Sequence, residues 1–170
     1  HTRYLDSIIV LNENVTLTNF NPILHTLLLG NLVKLGITIG NLNIGLFLYT
    51  LIQEAIVILV LAYSIYFLKK ENIKDNYLLM ILLCYIIVPF YPFYALTAVK
   101  DTLFCAFVIL YIIYLYKYIT YKFSLKDYII FIAIMLLVTL LRTNAAIIIA
   151  LSLPFVLLIR NINRKTLGLT

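Results

Sequence analysis

Three clusters of basic residues separate the long apolar stretches of this sequence, and they constrain its fold more than any other feature. Nine of the 13 Lys and Arg residues fall into the triplets Lys69/Lys70/Lys74, Lys117/Lys122/Lys126 and Arg160/Arg164/Lys165. Basic residues accumulate in the cytoplasmic loops of membrane proteins, so the triplets predict three segments on one side of a bilayer. The apolar stretches between them are long enough to cross that bilayer twice.

The composition supports a membrane location. Hydrophobic residues make up 64% of the chain and the mean hydropathy is +1.07, whereas soluble domains contain roughly 45–50% apolar residues. The net charge of +6 comes from residues that flank apolar runs, which indicates topology and excludes nucleic acid as a partner. Cys84 and Cys105 lie inside apolar runs, so neither a disulfide nor a metal site is predicted.

The apolar pattern predicts an all-α, polytopic helical membrane bundle with about five transmembrane helices and one interfacial helix. The interfacial helix is Ile23–Leu35, which follows Asn21-Pro22 and is too short to span a bilayer that needs about 20 residues. Lys34 and the glycines at 36, 40 and 45 are expected to end it. The first three spans are predicted at Leu46–Leu68, Tyr77–Val99 and Thr102–Tyr116.

The apolar region Tyr128–Ile159 is predicted to form a helical hairpin. As one helix it would extend about 48 Å at 1.5 Å per residue, against a hydrocarbon core of about 30 Å. A turn at Arg142–Asn144 returns the third basic triplet to the face that holds the other two, as the positive-inside rule requires. The pattern Ser124-x-x-Asp127 predicts a capping box at the start of the first helix.

This topology divides the chain into three parts. Residues 1–45 form an extracytoplasmic loop with the interfacial helix, residues 46–160 form the transmembrane bundle, and residues 161–170 are a cytoplasmic loop or a truncated end. The chain begins without Met and without a signal peptide, so we expect an internal piece of a longer multi-pass protein of the cell membrane.

Polar residues that meet on the extracytoplasmic side form the predicted site. They are Lys100, Asp101, Arg142 and Asn144, together with residues 1–25. Two cations beside the bilayer suit an anionic, membrane-embedded substrate such as a lipid phosphate, and Asp6 or Glu13 is placed to act as a general base. The same residues also fit simpler roles, because Asp101 is a good helix cap and Arg142 with Asn144 can complete a tight turn.

Three further polar residues are candidates for binding. His25 can bind phosphate or a metal, although a single His without a partner four residues later is more often a hydrogen-bonded structural residue. Gln53 and Glu54 interrupt the first span and form a possible intramembrane polar site, where a carboxylate should face the bundle. Their alternative role is hydrogen bonding between helices.

Four segments of the sequence carry a resemblance to a known group of proteins. They are Asn21–Gly30, Leu46–Gln53, Lys100-Asp101-Thr102-Leu103-Phe104 and Leu141-Arg142-Thr143-Asn144. The chain resembles a family of uncharacterised bacterial polytopic membrane proteins, which is similar in turn to GT-C glycosyltransferases related to the protein O-mannosyltransferases. The resemblance implies a GT-C-like fold and a piece that lacks the first and the later membrane helices.

The resemblance also implies a catalyst and a substrate. Asp6 looks like the acidic residue of the first extracytoplasmic loop that acts as the base in GT-C enzymes, and the donor is a sugar on a polyprenyl phosphate. Expected partners are this lipid-linked donor and membrane lipids. No cofactor is expected, a divalent metal is left open, and the oligomeric state is not predicted.

The sequence leaves three functions open. The first is a membrane glycosyltransferase that transfers the sugar of a polyprenyl-phosphate donor at the extracytoplasmic face. The second is a transporter or flippase for a lipid-linked or anionic solute, with Glu54 and a proline-broken helix along its path. The third is a non-catalytic membrane subunit.

Overall fold

The structure is a computed structural model that describes residues 22–88, 97–142 and 144–166, with side chains to residue 159. This part of the chain is helical and contains no strand. Its helices are α1 Ile23–Thr38, α2 Leu42–Lys70, α3 Asp75–Ile87, α4 Lys100–Thr120, α5 Leu125–Leu141 and α6 Ala145–Thr166. The all-α prediction is therefore confirmed.

Helices α2 and α4 are long and apolar enough to cross a membrane. They contain 29 and 21 residues, and their most apolar windows have mean hydropathies of 2.3 and 1.9. Only 28% and 39% of those windows is buried inside the protein, whereas the core helix of a soluble protein would be mostly buried. Large apolar side chains such as Leu59, Ile87 and Phe155 are about two-thirds exposed, so much of the surface is apolar.

Helix α3 is shorter than the span predicted at Tyr77–Val99, and this prediction requires correction. The helix contains 13 residues, or about 20 Å at helical rise, against a hydrocarbon core of about 30 Å. Val88 is extended at its C-terminus because Pro89 disfavours the helical conformation of the preceding residue. The chain is again extended at Val99. The aromatic and proline residues at 89–96 lie outside the described residues.

The predicted hairpin is confirmed by the geometry of α4, α5 and α6. Helix α5 ends at Leu141, and α6 begins at Ala145. Arg142 meets Asp101 at the start of α4, and Tyr111 donates a 2.6 Å hydrogen bond to Ser152, whose own hydroxyl donates to a backbone carbonyl. At 1.5 Å per residue, Tyr111 lies about 15 Å along α4 from Asp101, and Ser152 lies about 10 Å from the start of α6. Helix α6 therefore runs alongside α4 and back along α5.

The two ends of this bundle have different compositions. We name them the Arg142 end, where α4 starts, and the Lys117 end, where α2 and α4 finish. At the Lys117 end, Tyr116 and Tyr121 donate hydrogen bonds of 3.0 and 2.6 Å to Glu71. Glu71 follows the last residue of α2, and the two tyrosines lie at the end of α4, so these helices finish side by side. The first two basic triplets therefore lie at the same end, and α6 runs towards that end.

The capping box predicted for α5 is present. Ser124 accepts a hydrogen bond from the backbone nitrogen of Asp127, and the Asp127 carboxylate accepts from the backbone nitrogen of Ser124. Each side chain satisfies a backbone group that has no partner within the helix. The start of α5 is therefore fixed by local sequence.

Helices α1 and α2 pack together through two glycines. A Cβ atom on Gly36 would lie 2.5 Å from the backbone nitrogen of Gly45, and one on Gly45 would collide with Leu32. The two residues therefore lie within helices and permit close backbone contact, which corrects the prediction that they end α1. Gly40, at φ +91°, makes the turn between the helices.

Helix α1 crosses α2 obliquely. Gly36 of α1 contacts Gly45 of α2, and His25 of α1 contacts Tyr49 of α2. The two contacts are eleven residues apart on α1 but only four residues apart on α2. These steps correspond to about 16 Å and about 6 Å at helical rise. Helix α1 thus lies across the Arg142 end, where it also contacts α5.

The core between α4 and α5 is aromatic. Phe131 of α5 stacks on Tyr111, Tyr114 and Tyr118 of α4, with ring centroids 5.8, 6.5 and 6.0 Å apart. These tyrosines are spaced at three and four residues, so they share one face of α4. The middle of this helix pair is therefore filled by rings.

We expect Gly45→Ala to destabilise the protein by about 1–3 kcal/mol, because the added methyl group overpacks the contact with α1. Thermal unfolding of the purified protein in detergent measures the effect. Ala55→Val is the matched control, since it adds bulk at an exposed position of the same helix. Equal melting temperatures for wild type and Gly45→Ala would contradict the contact.

Candidate functional site

One face of α2 organises the Arg142 end. Gly45, Tyr49 and Gln53 are buried, and their spacing of four places them in one stripe. Tyr49 shares a 2.8 Å hydrogen bond with Nδ1 of His25 on α1. Gln53 donates a 2.8 Å hydrogen bond from Nε2 to the Thr97 carbonyl. This stripe therefore positions both α1 and the segment that leads into α4.

His25 is fully buried, and it lies outside the two helices that are long enough to span a membrane. Its pKa is lowered from 6.5 to about 4, mainly by burial and also by the nearby Lys100 charge, while the Asp101 charge opposes the shift. The imidazole is therefore neutral near pH 7. His25 forms a hydrogen-bonded link between α1 and α2 through Tyr49.

A polar cluster lies at the Arg142 end and consists of His25, Tyr49, Gln53, Lys100, Asp101, Phe104 and Arg142. Arg142 and Asp101 form its ion pair. Nη1 of Arg142 lies 3.5 Å from Oδ1 of Asp101, and the side chains are 51% and 44% exposed. The guanidinium also lies 5.2 Å above the centre of the Phe104 ring, which favours a cation. Asp101 and Phe104 thus orient the guanidinium, while half of it stays accessible to a ligand.

Asp101 does not cap α4, so the capping role considered from sequence is wrong. The N-cap is Val99, which makes no side-chain cap bond. Asp101 lies in the first turn instead, where its charge is favourable near the helix N-terminus. Its carboxylate forms the ion pair with Arg142.

Lys100 is the second cation of the cluster. It is partly buried, and its charge acts on His25. Within the described part of the chain it makes no ion pair. Lys100 and Arg142 therefore place two positive charges, offset by the one carboxylate of Asp101, at the same end of the bundle.

Gln53 and Glu54 lie at the level of this cluster. Gln53 contacts the Thr97 carbonyl, three residues before α4 begins, so the preceding turns of α2 extend beyond the start of α4. Glu54 is partly buried, and among the described residues it has no ion-pair partner. The carboxylate expected inside the membrane is therefore beside the Arg142 end of α4.

The remaining predicted site residue within the described ranges is Asn144. Asn144 is exposed in the turn after Arg142, and its backbone carbonyl accepts a hydrogen bond from the nitrogen of Ile147. Asp6, the predicted base, lies outside the described residues, as does Glu13. In the described ranges, no three His, Cys, Asp or Glu side chains approach closely enough to hold a metal ion.

Tyr49 and Phe104 belong to the cluster but were not predicted from the sequence. Tyr49 lies four residues before Gln53, and Phe104 lies three residues after Asp101. Tyr49 therefore shares a helix face with Gln53, and Phe104 shares one with Asp101. Helical spacing from the polar residues would have identified both aromatic side chains.

The fold and the site together define a class: an all-helical protein with two helices that can cross a membrane and a charged cluster at one end. The chain belongs to the family described as a Family of unknown function (DUF6020), which matches residues 9–167. Neither the curated proteins nor the solved structures include a match to this chain.

We expect the protein to lose stability as the pH falls from 6.5 to about 4, because the unfolded state binds a proton at His25 that the folded state does not. A pKa lowered from 6.5 to about 4 corresponds to about 3 kcal/mol. The measurement is the free energy of unfolding of wild type and His25→Gln across this range. The advantage of wild type should shrink with acidity, and parallel pH profiles would contradict the burial of a neutral imidazole.

Proposed function

We propose that the protein is a membrane glycosyltransferase of GT-C type, with about five membrane-spanning helices. It transfers a sugar from a polyprenyl-phosphate donor, and residues 1–45 with the Arg142 end face the extracytoplasmic side. The single observation that carries the proposal is the Arg142–Asp101 pair beside Lys100, at the opposite end from the first two basic triplets. This separation fits cytoplasmic lysines and an extracytoplasmic site.

The cluster suits the phosphate of a lipid-linked donor. Arginine presents five N–H donors in a planar fork, and Asp101 lies near one of its nitrogens. Two phosphate oxygens can therefore accept from the exposed part of the guanidinium, while Lys100 supplies a second charge. Neutralising the phosphate there would hold the sugar at the membrane surface.

The base in this proposal is Asp6. A carboxylate within hydrogen-bonding distance of the acceptor hydroxyl can remove its proton as the sugar is transferred. Asp101 is less suited to that role because its charge stabilises Arg142. His25 is less suited because it is buried against Tyr49.

We expect Arg142→Ala to reduce sugar transfer roughly 10- to 100-fold, since a hydrogen bond to a charged group contributes about 1.5–3 kcal/mol. Asp6→Asn should abolish transfer at a normal protein level. Both are measured on the natural full-length protein, as consumption of lipid-linked sugar in membranes and as surface glycans. Arg142→Lys should recover part of the activity, because it keeps the charge and loses the fork.

The matched control is Lys34→Ala, which removes an exposed cation of α1 and should leave transfer unchanged. Protein level and melting temperature separate misfolding from loss of binding. Unchanged glycans in correctly folded Asp6→Asn and Arg142→Ala would reject the proposed roles.

A second candidate function is transport of a lipid-linked or anionic solute. The observation that favours it is Glu54, a partly buried carboxylate on an apolar helix without an ion-pair partner in the described chain. The short α3, which ends beside Pro89, also resembles the broken helices of transporters.

We expect Glu54→Gln to leave sugar transfer nearly unchanged if the protein is a glycosyltransferase, because the amide keeps the shape and hydrogen-bonding capacity of the side chain. In a transporter, the same change should abolish solute uptake into proteoliposomes, whereas Asp6→Asn should leave that uptake intact. Gln53→Glu is not a suitable control, since it would bury a charge. Thr50→Val, on the same helix, tests for effects of packing alone.

A further inference from the structure

A basic pocket lies at the Lys117 end, away from the cluster described above. It forms where α2 finishes, α4 finishes and the chain turns into α5. Its charged lining residues are Lys70, Lys117, Lys122, Glu71 and Asp127. Three lysines and two carboxylates leave an excess of one positive charge.

The two carboxylates in this pocket are held by neutral donors. Glu71 accepts the hydroxyl hydrogens of Tyr116 and Tyr121 on its two oxygens. Asp127 accepts from the backbone nitrogen and the hydroxyl of Ser124 at 3.0 and 2.6 Å. Neither carboxylate pairs with a lysine of the pocket in the described structure.

Lys117 is held in place by aromatic side chains. Its Nζ donates a 2.6 Å hydrogen bond to the Tyr63 hydroxyl. The same atom lies 4.7 Å from the centre of the Tyr114 ring and 5.6 Å from that of Phe67. Two N–H groups of this ammonium remain for a ligand, since a lysine carries three.

Lys70 and Lys122 complete the cationic lining. Both are exposed, and neither forms an ion pair within the described residues. Lys70 also complements the C-terminal dipole of α2. Lys122 directly follows the C-cap of α4 and is the third cation of the lining.

An apolar groove adjoins this pocket and shares Phe67 and Glu71 with it. The groove lies among α2, α3 and α4, and its lining includes Leu68, Ile109 and Ile112. An anion bound in the pocket would therefore sit beside a surface that suits an acyl chain. This arrangement favours a lipid over a free phosphate ion.

We propose that the basic pocket binds the phosphate of an acidic phospholipid headgroup, through Lys70, Lys117 and Lys122. Basic pockets between helices at the cytoplasmic side of membrane proteins suit such headgroups. This site is separate from the sugar-transfer site and does not depend on that activity.

The test is binding of short-chain phosphatidylglycerol to the purified full chain in a neutral detergent. Phosphatidylcholine of equal chain length and inorganic phosphate are titrated in parallel. We expect phosphatidylglycerol to bind most tightly, and Lys70→Gln/Lys122→Gln to weaken it by about tenfold or more. Lys69→Gln/Lys74→Gln, which removes the same charge outside the pocket, should change the affinity by less than about twofold.

Each alternative outcome overturns the proposal. Equal weakening in the two double variants would show attraction to net charge without a defined site. Inorganic phosphate binding as tightly as the lipid would identify a free anion as the ligand, and equal affinity for phosphatidylcholine would remove the role of the lysines. The melting temperature of each variant, measured in detergent, confirms that it is folded.

Discussion

The turn between α5 and α6, where Arg142 contacts Asp101 and Phe104, is where the chain reverses, and the position of the last two helices depends on it. The ion pair alone contributes little, because half-exposed pairs are worth about 0–1 kcal/mol. Burial of Leu141 and Ala145 on either side of the turn, at 1% and 0% exposure, contributes more. A fully buried leucine alone is worth about 1.5–3 kcal/mol. Packing therefore sets the turn, and the charges orient the guanidinium.

The turn also determines which charges share an end of the bundle. Because α6 runs back along α4, Arg142 lies beside Lys100 and opposite Lys117. The cations of the Arg142 end meet a carboxylate and a buried neutral imidazole. Lys117, by contrast, meets aromatic rings and a tyrosine hydroxyl. The cations at the two ends thus have different surroundings, a carboxylate at one end and aromatic rings beside an apolar groove at the other.

Much of this fold follows from local signals that the sequence states directly. The Ser124-x-x-Asp127 pattern predicts the start of α5, and the polar residues at Arg142–Asn144 predict its end. Both features depend on residues close in sequence. Predicting the hairpin of α5 and α6 also needed the third basic triplet, together with the rule that basic loops lie on one side of the membrane.

Other features depend on contacts between distant residues and could not be read from local pattern. Gly36 and Gly45 look like helix breakers until α1 and α2 are seen to cross there. Gln53 gives no local sign that it bonds to the Thr97 carbonyl, 44 residues later in the chain. The role of Asp6 depends on residues outside the described chain, so the proposed base stays a prediction from resemblance.

The distribution of polar groups along the bundle bears on the choice between sugar transfer and transport. A solute pathway needs polar groups through the middle of the helices, but in the described part the seam between α4 and α5 is filled by Phe131 and the tyrosines stacked on it. One of these tyrosines, Tyr111, bonds through its hydroxyl to Ser152. Chemistry at one membrane face needs no such pathway. The Arg142–Asp101 pair at one end of the bundle is therefore consistent with the proposed transfer chemistry.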